Sequence, residues 1–165
     1  MREIEDRLHA APPGTIEAEL VAIALETTNA EHGALFVWDK EAEGLALVHH
    51  VVNGVTVTLP RIVKPEGKAG IAMHVFAEAT PYLSKDTSRD PLYTRYLIDV
   101  GAIAAAPLVY QKRAIGVLTV STRDAHGLDE RELRAVSAIA EVAAPLLRRV
   151  QIDKLSRAAT GRPLP

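Results

Sequence analysis

The stretch from residue 34 to residue 60 most constrains the fold, because it contains three strand-like segments in succession. "ALFVWD" (34–39) and "LALVHHVV" (45–52) are rich in β-branched and aromatic residues, and a short charged turn separates them. "VTVTLP" (55–60) follows Asn53-Gly54, a dipeptide typical of two-residue hairpin turns. Connections this short join antiparallel strands, since a parallel pair needs a long crossover. The sequence therefore predicts an antiparallel meander.

Two helices are predicted before this meander. Residues 2–10 form the first, and it must end at the "PPG" of 12–14 because proline cannot continue a helical ladder. Thr15 is the expected N-cap of the second helix, whose apolar residues recur from Ile16 at spacings of three and four. The second helix should therefore pack one apolar stripe against the sheet.

The second half of the chain adds helices, short connections and a second hairpin. Its last helix has a well-specified start, because Asp129 and Glu132 have capping-box spacing and Leu128 and Leu133 have the spacing of a hydrophobic staple. Strands in runs, with helices gathered at either end, favour an antiparallel α+β fold. The predicted elements are a helix over 68–79, a short strand near 82–83, a short helix over 92–97, strands at 102–110 and 114–122, and the closing helix after Asp129.

Composition narrows the classes of function. The 165 residues suffice for one domain with a substantial core. A net charge of −2 gives no overall attraction to phosphate backbones, so no nucleic-acid partner is predicted. No apolar run is long enough to span a bilayer and no signal peptide is recognisable, so we expect a cytosolic protein without a membrane partner. The absence of cysteine excludes thiolate chemistry and disulfides.

Two motifs resemble those of the GAF domain family. The first is "GIAMHVFAEATPYLSKDTSRDPLY" (70–93), which combines a Gly-Ile-Ala start, a helix, a proline before an apolar pair and two later aspartates. The second is "APLVYQKRAIGVLTVSTRDAHGLDERELRAVSAIAEVA" (106–143), which combines a Pro-Leu hairpin with a closing helix begun by an acidic cap. Both motifs occur in the family's order, and the resemblance covers about residues 15–150.

The resemblance implies a fold and a division of the chain. The fold is an α+β, six-stranded antiparallel sheet of order 3-2-1-6-5-4, with the terminal helices on one face. On the other face, the middle helix and the loop after it roof a pocket. The predicted parts are an N-terminal helix and hinge over 1–14, the GAF-like domain over 15–150, and a C-terminal tail or linker over 151–165.

The resemblance also implies that the roof supplies ligand contacts. Other readings stay open: His74 also fits a partly exposed helix histidine, the tyrosines also fit core filling, and Asp86 also fits turn formation. His49 and His50 should face opposite sides of a strand, so they do not predict a metal site, and no metal or cofactor is predicted. The predicted ligand-binding residues are Gly70, Ile71, His74, Tyr82, Lys85, Asp86, Tyr93, Tyr96 and Asp99.

The function that follows is a non-enzymatic regulatory domain of signal transduction. It would bind a small organic molecule under the roof, form a homodimer through its first and last helices, and act on an output domain or partner. The alternative is a ligand-free module for dimerisation or protein interaction. Methionine sulfoxide reductase and covalent bilin attachment, which use cysteine in this family, are excluded. Ser84 and Val100 depart from the family's cyclic-nucleotide pattern.

Overall fold

The computed structural model describes residues 2–12, 14–58, 61–66, 70–95 and 98–159, with side chains through residue 152. In chain order its elements are α1 (Arg2–Ala10), α2 (Ile16–Thr27), β1 (His32–Asp39), β2 (Gly44–Val52), β3 (Val55–Thr56), β4 (Ile62–Val63), α3 (Gly70–Glu78), β5 (Tyr82–Ser84), a 3-10 turn (Thr87–Arg89), β6 (Ala102–Tyr110), β7 (Arg113–Thr122) and α4 (Glu130–Ala159).

The strands form one antiparallel sheet of order β3-β2-β1-β7-β6-β5. This order confirms the predicted α+β fold and its strand sequence. The β2–β3 turn is formed by Asn53 and Gly54, both with positive φ, as its dipeptide predicts. The sheet has seven strands rather than six, because β4 also pairs with β2. The predicted third strand is short, since β3 ends at Thr56, and residues 59–60 lie outside the described chain.

The sheet separates two apolar cores. Leu35 of β1 belongs to the larger core, which packs the sheet against α1, α2 and α4. Its neighbours Ala34 and Phe36 face the other way, into a smaller core beneath α3. This alternation follows from the two-residue period of a strand. Trp38 of β1 stacks on Phe76 of α3, with ring centroids 5.0 Å apart, and so fastens α3 to the sheet.

The helix starts show one confirmed prediction and one wrong one. At α4, Glu132 Oε1 accepts from the Asp129 backbone N–H at 3.4 Å, and Asp129 Oδ1 accepts from the Arg131 N–H at 2.8 Å, which confirms the capping box. Thr15 precedes α2 but makes no side-chain cap. Its hydroxyl instead donates to the Pro12 carbonyl at 2.7 Å, and its backbone N–H donates to the same oxygen at 3.0 Å.

The predicted short helix over 92–97 is absent from the described residues 91–95, and residues 96–97 lie outside the described chain. Asp90 accounts for the difference. Its Oδ1 accepts from the Leu92 N–H at 2.9 Å, an Asx turn that competes with helical pairing. A single 3-10 turn forms earlier, at Thr87–Arg89.

None of the helices in the described part of the chain has an apolar stretch long enough to cross a bilayer.

Candidate functional site

A cavity of about 60 Å³ lies between the sheet and the segments that cover it. We call it the inner cavity. The sheet supplies its floor from β1, β2, β6 and β7, while the first turn of α3 and residues 93, 94, 98 and 100 supply its cover. Its lining comprises Gly33, Ala34, Phe36, Leu47, His50, Ile71, Ala72, Tyr93, Thr94, Ile98, Val100, Ile103, Thr119 and Ser121.

Small and polar side chains at the centre of the sheet leave this space unfilled. Ala34 pairs with Thr119 of β7 on one side and with His50 of β2 on the other. The three residues therefore lie side by side on the covered face. Ser121 continues the polar row two residues beyond Thr119 on the same face. A methyl group and two hydroxyl-bearing side chains occupy positions where larger apolar residues would close the floor.

A β-bulge brings His50 to this face. The pairing of β1 with β2 shifts between Leu35 and Phe36, so that Val48 has no partner on β1 and is 44% exposed. Leu47 and His50 are three residues apart, and an unbroken strand would place them on opposite faces. Because the bulge adds one residue between them, Leu47 and His50 both face the cavity.

The imidazole of His50 is a polar group in a largely apolar wall. The residue is 9% exposed, and its Nδ1 has no hydrogen-bond partner among the described residues. Burial lowers the pKa of His50, and the neighbouring His32 and His49 act in the same direction. The side chain is therefore held neutral near pH 7, with one ring nitrogen able to donate and the other to accept.

An outer cavity of about 210 Å³ adjoins the first, and Ile98 lines both. Unlike the inner cavity, it has charged walls. Glu31 Oε1 accepts from the Thr122 hydroxyl at 2.6 Å and from the Arg123 N–H at 2.8 Å, and these bonds lower the pKa of Glu31. The outer lining comprises Glu31, His32, Val52, Asn53, Ile98, Asp99 and Arg123.

His32 lies at the boundary with the outer cavity and is 3% exposed. Its Nδ1 accepts from the Asn53 backbone N–H at 3.2 Å, so this histidine, unlike His50, has a partner for that nitrogen. Burial lowers the pKa of His32, although the Glu31 carboxylate opposes the shift. His32 thus helps to hold the Asn53 turn in place.

Tyr93 closes the inner cavity from the loop. Its hydroxyl accepts from the Val100 N–H at 3.2 Å and lies 3.4 Å from Asp99 Oδ1, to which it donates. Burial raises the pKa of Tyr93, so the hydroxyl stays protonated at neutral pH. Asp99 also lies 3.5 Å from Arg95 in an exposed ion pair. The tyrosine therefore ties the two ends of the segment 93–100 together.

A second polar group lies on the roof, around Asp90. The Tyr82 hydroxyl donates to Asp90 Oδ2 at 2.8 Å, and the His74 ring meets the edge of the Tyr82 ring with centroids 5.5 Å apart. Burial together with this hydrogen bond raises the pKa of Tyr82 to about 12. Burial acts to raise the pKa of Asp90, but the nearby Ser84 hydroxyl, the Leu92 N–H and the Tyr82 hydroxyl together outweigh it and lower that pKa.

The predicted site residues thus fall into separate places. Ile71 and Tyr93 line the inner cavity and Asp99 lines the outer one. His74 and Tyr82 belong to the roof group around Asp90. Of the remaining four, Gly70 begins α3 with a φ of +82°, Lys85 pairs with Glu130 at 2.9 Å on the surface, Asp86 caps the 3-10 turn through Ser88, and Tyr96 lies outside the described residues.

The sheet residues of the inner cavity, above all His50, Thr119 and Ser121, were not among the predicted contacts. A weak signal for them exists in the sequence, because polar residues alternate with apolar ones along β7. No group of three or more potential protein ligands for a metal ion occurs among the described residues.

Comparisons with known proteins agree with this architecture. A GAF domain from a phosphoenolpyruvate-protein phosphotransferase of Coxiella burnetii superposes with a TM-score of 0.76 at 18% identity, over 93% of this chain and 94% of that one. The free methionine-R-sulfoxide reductase of Neisseria meningitidis, in complex with its substrate, gives 0.77 at 16%, over 92% and 88%. Residues 122 to 287 of a methyl-accepting chemotaxis protein give 0.73 at 18%, over 92% and 98%.

At these identities the likenesses establish the fold alone. No curated protein matches the sequence. The sequence model of the GAF domain matches residues 13–147, which is most of the chain. The antiparallel sheet, the helices packed on both of its faces and the match to the family model agree. The chain belongs to the GAF domain family, which includes sensor and regulatory domains of signalling proteins.

Proposed function

We propose that this domain senses a small organic molecule, which binds in the inner cavity. The observation that carries the proposal is the His50 Nδ1 atom, which is buried at the cavity wall without a partner among the described residues. A buried polar atom without a hydrogen bond costs roughly 1–3 kcal/mol, so it calls for an explanation. A ligand that completes its hydrogen bonding provides one.

The predicted contacts Ile71 and Tyr93 support the same location, because both line the inner cavity. Asp99 lines the outer cavity, which adjoins the inner cavity at Ile98. The proposed ligand contacts are therefore His50, Thr119, Ile71 and Tyr93. The other roof residues would hold the roof in place over the ligand without contacting it. Tyr93 is suited to report occupancy, since its hydroxyl holds both the Val100 N–H and Asp99.

The signal would pass through the sheet to the terminal helices. Ala34 faces the inner cavity, and its neighbour Leu35 packs into the core beneath α2 and α4. A ligand that binds one arrangement of the covered face better than another shifts the balance between them. We propose a homodimer formed through the terminal helices, which would carry this shift to an output domain or partner of a cytosolic signalling protein.

We further propose that the domain is not an enzyme. Structural neighbours include free methionine-R-sulfoxide reductases, but this chain contains no cysteine. Cysteine-dependent reduction is therefore unavailable to it. The His50 imidazole has no hydrogen-bonded nucleophile that it could activate among the described residues.

A ligand-free interaction module is the second candidate, and the small volume of the inner cavity favours it. Pockets for drug-sized ligands are several times larger than about 60 Å³. In this case His50 and the hydroxyls would bind only water, and the terminal helices would mediate dimerisation or protein interaction.

Native mass spectrometry of the purified protein, combined with thermal shifts across a metabolite panel, separates the two candidates. We expect a retained small-molecule mass or a ligand-dependent stabilisation. Ala34→Met should fill the inner cavity and abolish both, while Ala138→Met on partly exposed α4 should leave both intact. A wild-type protein with no bound mass and no shift across the panel would favour the interaction module.

A further inference from the structure

We infer that the ligand is a small carboxylate, held between the N-terminus of α3 and His50, and that it binds with uptake of one proton. This inference rests on the proposed sensing function and identifies the chemistry of its ligand. Acetate is the simplest compound with the required charge and size. Three features of the inner cavity support it: the end of a helix, the unpartnered histidine and the hydroxyl groups.

The first feature is the start of α3, a helix of nine residues. Its first turn contributes Ile71 and Ala72 to the cavity wall. The first backbone N–H groups of a helix have no partner within the helix, and the helix dipole places a partial positive charge there. This end of α3 therefore favours an anion over a neutral or cationic ligand.

The second and independent feature is His50. It is 9% exposed, and its Nδ1 lacks a partner among the described residues. Among the described residues of the inner lining, His50 alone has a side chain that can become a cation, and none of them is an aspartate or glutamate. A protonated imidazole would donate a charge-assisted hydrogen bond to a carboxylate oxygen.

The groups around His50 leave the anion as its best partner. His32 of β1 lies on the same face of the sheet as His50, and His49 of β2 lies on the other face. Both histidines disfavour a positive charge on His50. Tyr93 faces the cavity from the loop with its hydroxyl bonded to Asp99, while Glu31 lies farther out beside His32 and is bonded to Thr122. None of the acidic groups forms a bond with the imidazole among the described contacts.

The third feature is the pair of hydroxyls on β7, together with the size of the space. Thr119 and Ser121 present O–H donors to the cavity. A volume of about 60 Å³ corresponds to a few water-sized spheres, each of which needs roughly 10–15 Å³. Acetate, with two carbons and two oxygens, matches that number of non-hydrogen atoms. A larger carboxylate would extend past Ile98 into the outer cavity.

Binding of the anion would raise the proton affinity of His50. The imidazole is neutral in the free protein because burial lowers its pKa, and the bound carboxylate would reverse that effect. The proton comes from solvent. Acetate affinity should therefore fall as the pH rises, by up to about tenfold per pH unit while the free protein is neutral at His50 and the complex is protonated.

Calorimetric titration with acetate at pH 6, 7 and 8, at constant ionic strength and in two buffers of different ionisation enthalpy, tests the inference. We expect about one proton taken up at pH 7 and a loss of affinity of several-fold or more per pH unit. His50→Gln should remove both the pH dependence and the proton uptake. His49→Gln, on the same strand but the opposite face, should retain them. Acetamide, the neutral isostere, should bind at least tenfold more weakly.

Thermal unfolding checks that the His50→Gln protein is folded. Thr119→Val is a second test that leaves the titrating group in place, and it should weaken acetate binding while keeping the pH dependence. Acetamide that binds as well as acetate, or a pH dependence that persists in His50→Gln, would overturn the carboxylate inference alone. If neither acetate nor acetamide binds but the protein still retains a small-molecule mass, the carboxylate inference alone is overturned. The absence of bound mass as well would overturn the sensing proposal with it.

Discussion

Asp90 is the residue that joins three segments of the roof. One of its oxygens accepts from Tyr82 on β5, and the other accepts from the backbone of the loop at Leu92. His74 of α3 packs against the same tyrosine ring. A single carboxylate thus connects the helix, the short strand and the loop that cover the inner cavity.

Tyr82→Phe should destabilise the protein by about 1–2 kcal/mol near pH 7, because the charged acceptor Asp90 loses a 2.8 Å hydrogen bond. The pKa of Asp90 is lowered in the folded protein, so its contribution to stability is present at neutral pH and disappears as the pH falls through that lowered pKa. Tyr82, with a pKa of about 12, remains a donor throughout this range.

Urea unfolding at neutral and acidic pH measures the effect. The difference between wild type and Tyr82→Phe should shrink in acid, once Asp90 is protonated. Tyr110→Phe is the matched control, because the Tyr110 hydroxyl has only a 3.5 Å contact with Gln111. An equal loss at both pH values would contradict a role for the Asp90 charge.

At the residue scale, the sequence indicated the cover of the site and missed its floor. The cover lies in a motif with helix and turn residues that are recognisable one by one. The floor depends on which face each strand residue takes, and the bulge at Val48 changes that face for everything beyond it on β2. A one-residue shift in register is not visible in a run such as "LALVHHVV".

Among the elements, β1 and β7 approach each other closely at the centre of the sheet. Gly116 of β7 permits it, because a Cβ atom there would lie 2.5 Å from the Phe36 carbonyl oxygen. Gly33 of β1 is also crowded, but by side chains: its Cβ would meet Val21 of α2 at 2.9 Å and Leu25 at 3.3 Å. Backbone atoms in a paired strand cannot move aside as side chains can.

Gly116→Ala should therefore be the more damaging of two matched substitutions. We expect it to lower the free energy of unfolding by about 1–3 kcal/mol or more, and Gly33→Ala to lower it by less, since Val21 and Leu25 can change rotamer. Chemical denaturation of both variants measures the difference. A larger loss in Gly33→Ala would mean that the helix packing, rather than the strand pairing, is the tighter contact.

Elements whose signals are local were predicted well. The Asn53-Gly54 hairpin and the Asp129–Glu132 capping box depend on neighbours in sequence, and both are confirmed. β4 was missed because its two residues, 62–63, carry little pattern and become a strand only by pairing with β2. The predicted helix over 92–97 had the right apolar spacing, but the Asx turn at Asp90 supplied competing hydrogen bonds.

The described part of the molecule consists of one sheet with a core on each side, and the two cores differ in size and in packing. The core beneath the terminal helices includes residues of α1, α2 and α4 and consists of leucine, isoleucine, valine and alanine side chains. The core beneath α3 is smaller and contains the inner cavity. The larger core thus holds the sheet that forms the floor of the proposed ligand site.

A homodimer through the terminal helices should be sensitive to substitution at Ile152 of α4. This side chain is 49% exposed, so an aspartate there would leave the core of the monomer intact but place a charge in the proposed interface. Size-exclusion chromatography with light scattering should give a dimer for the wild type and a monomer for Ile152→Asp, with unchanged circular dichroism. A wild-type monomer at high micromolar concentration would rule out the proposed dimer.

Helix α4 is long in relation to the body that holds it. Its 30 residues measure about 45 Å, and among the described side chains Leu147 is its last residue in the buried core. The helix axis runs roughly 18 Å from Leu147 to Ala159, and Pro145, just before Leu147, removes one helical hydrogen bond. Over that length, a tilt of about three to five degrees at Leu147 moves the end of the helix by an ångström or more. Under the proposed function, a ligand of only a few atoms would thus displace the end of α4 far enough for another protein to detect.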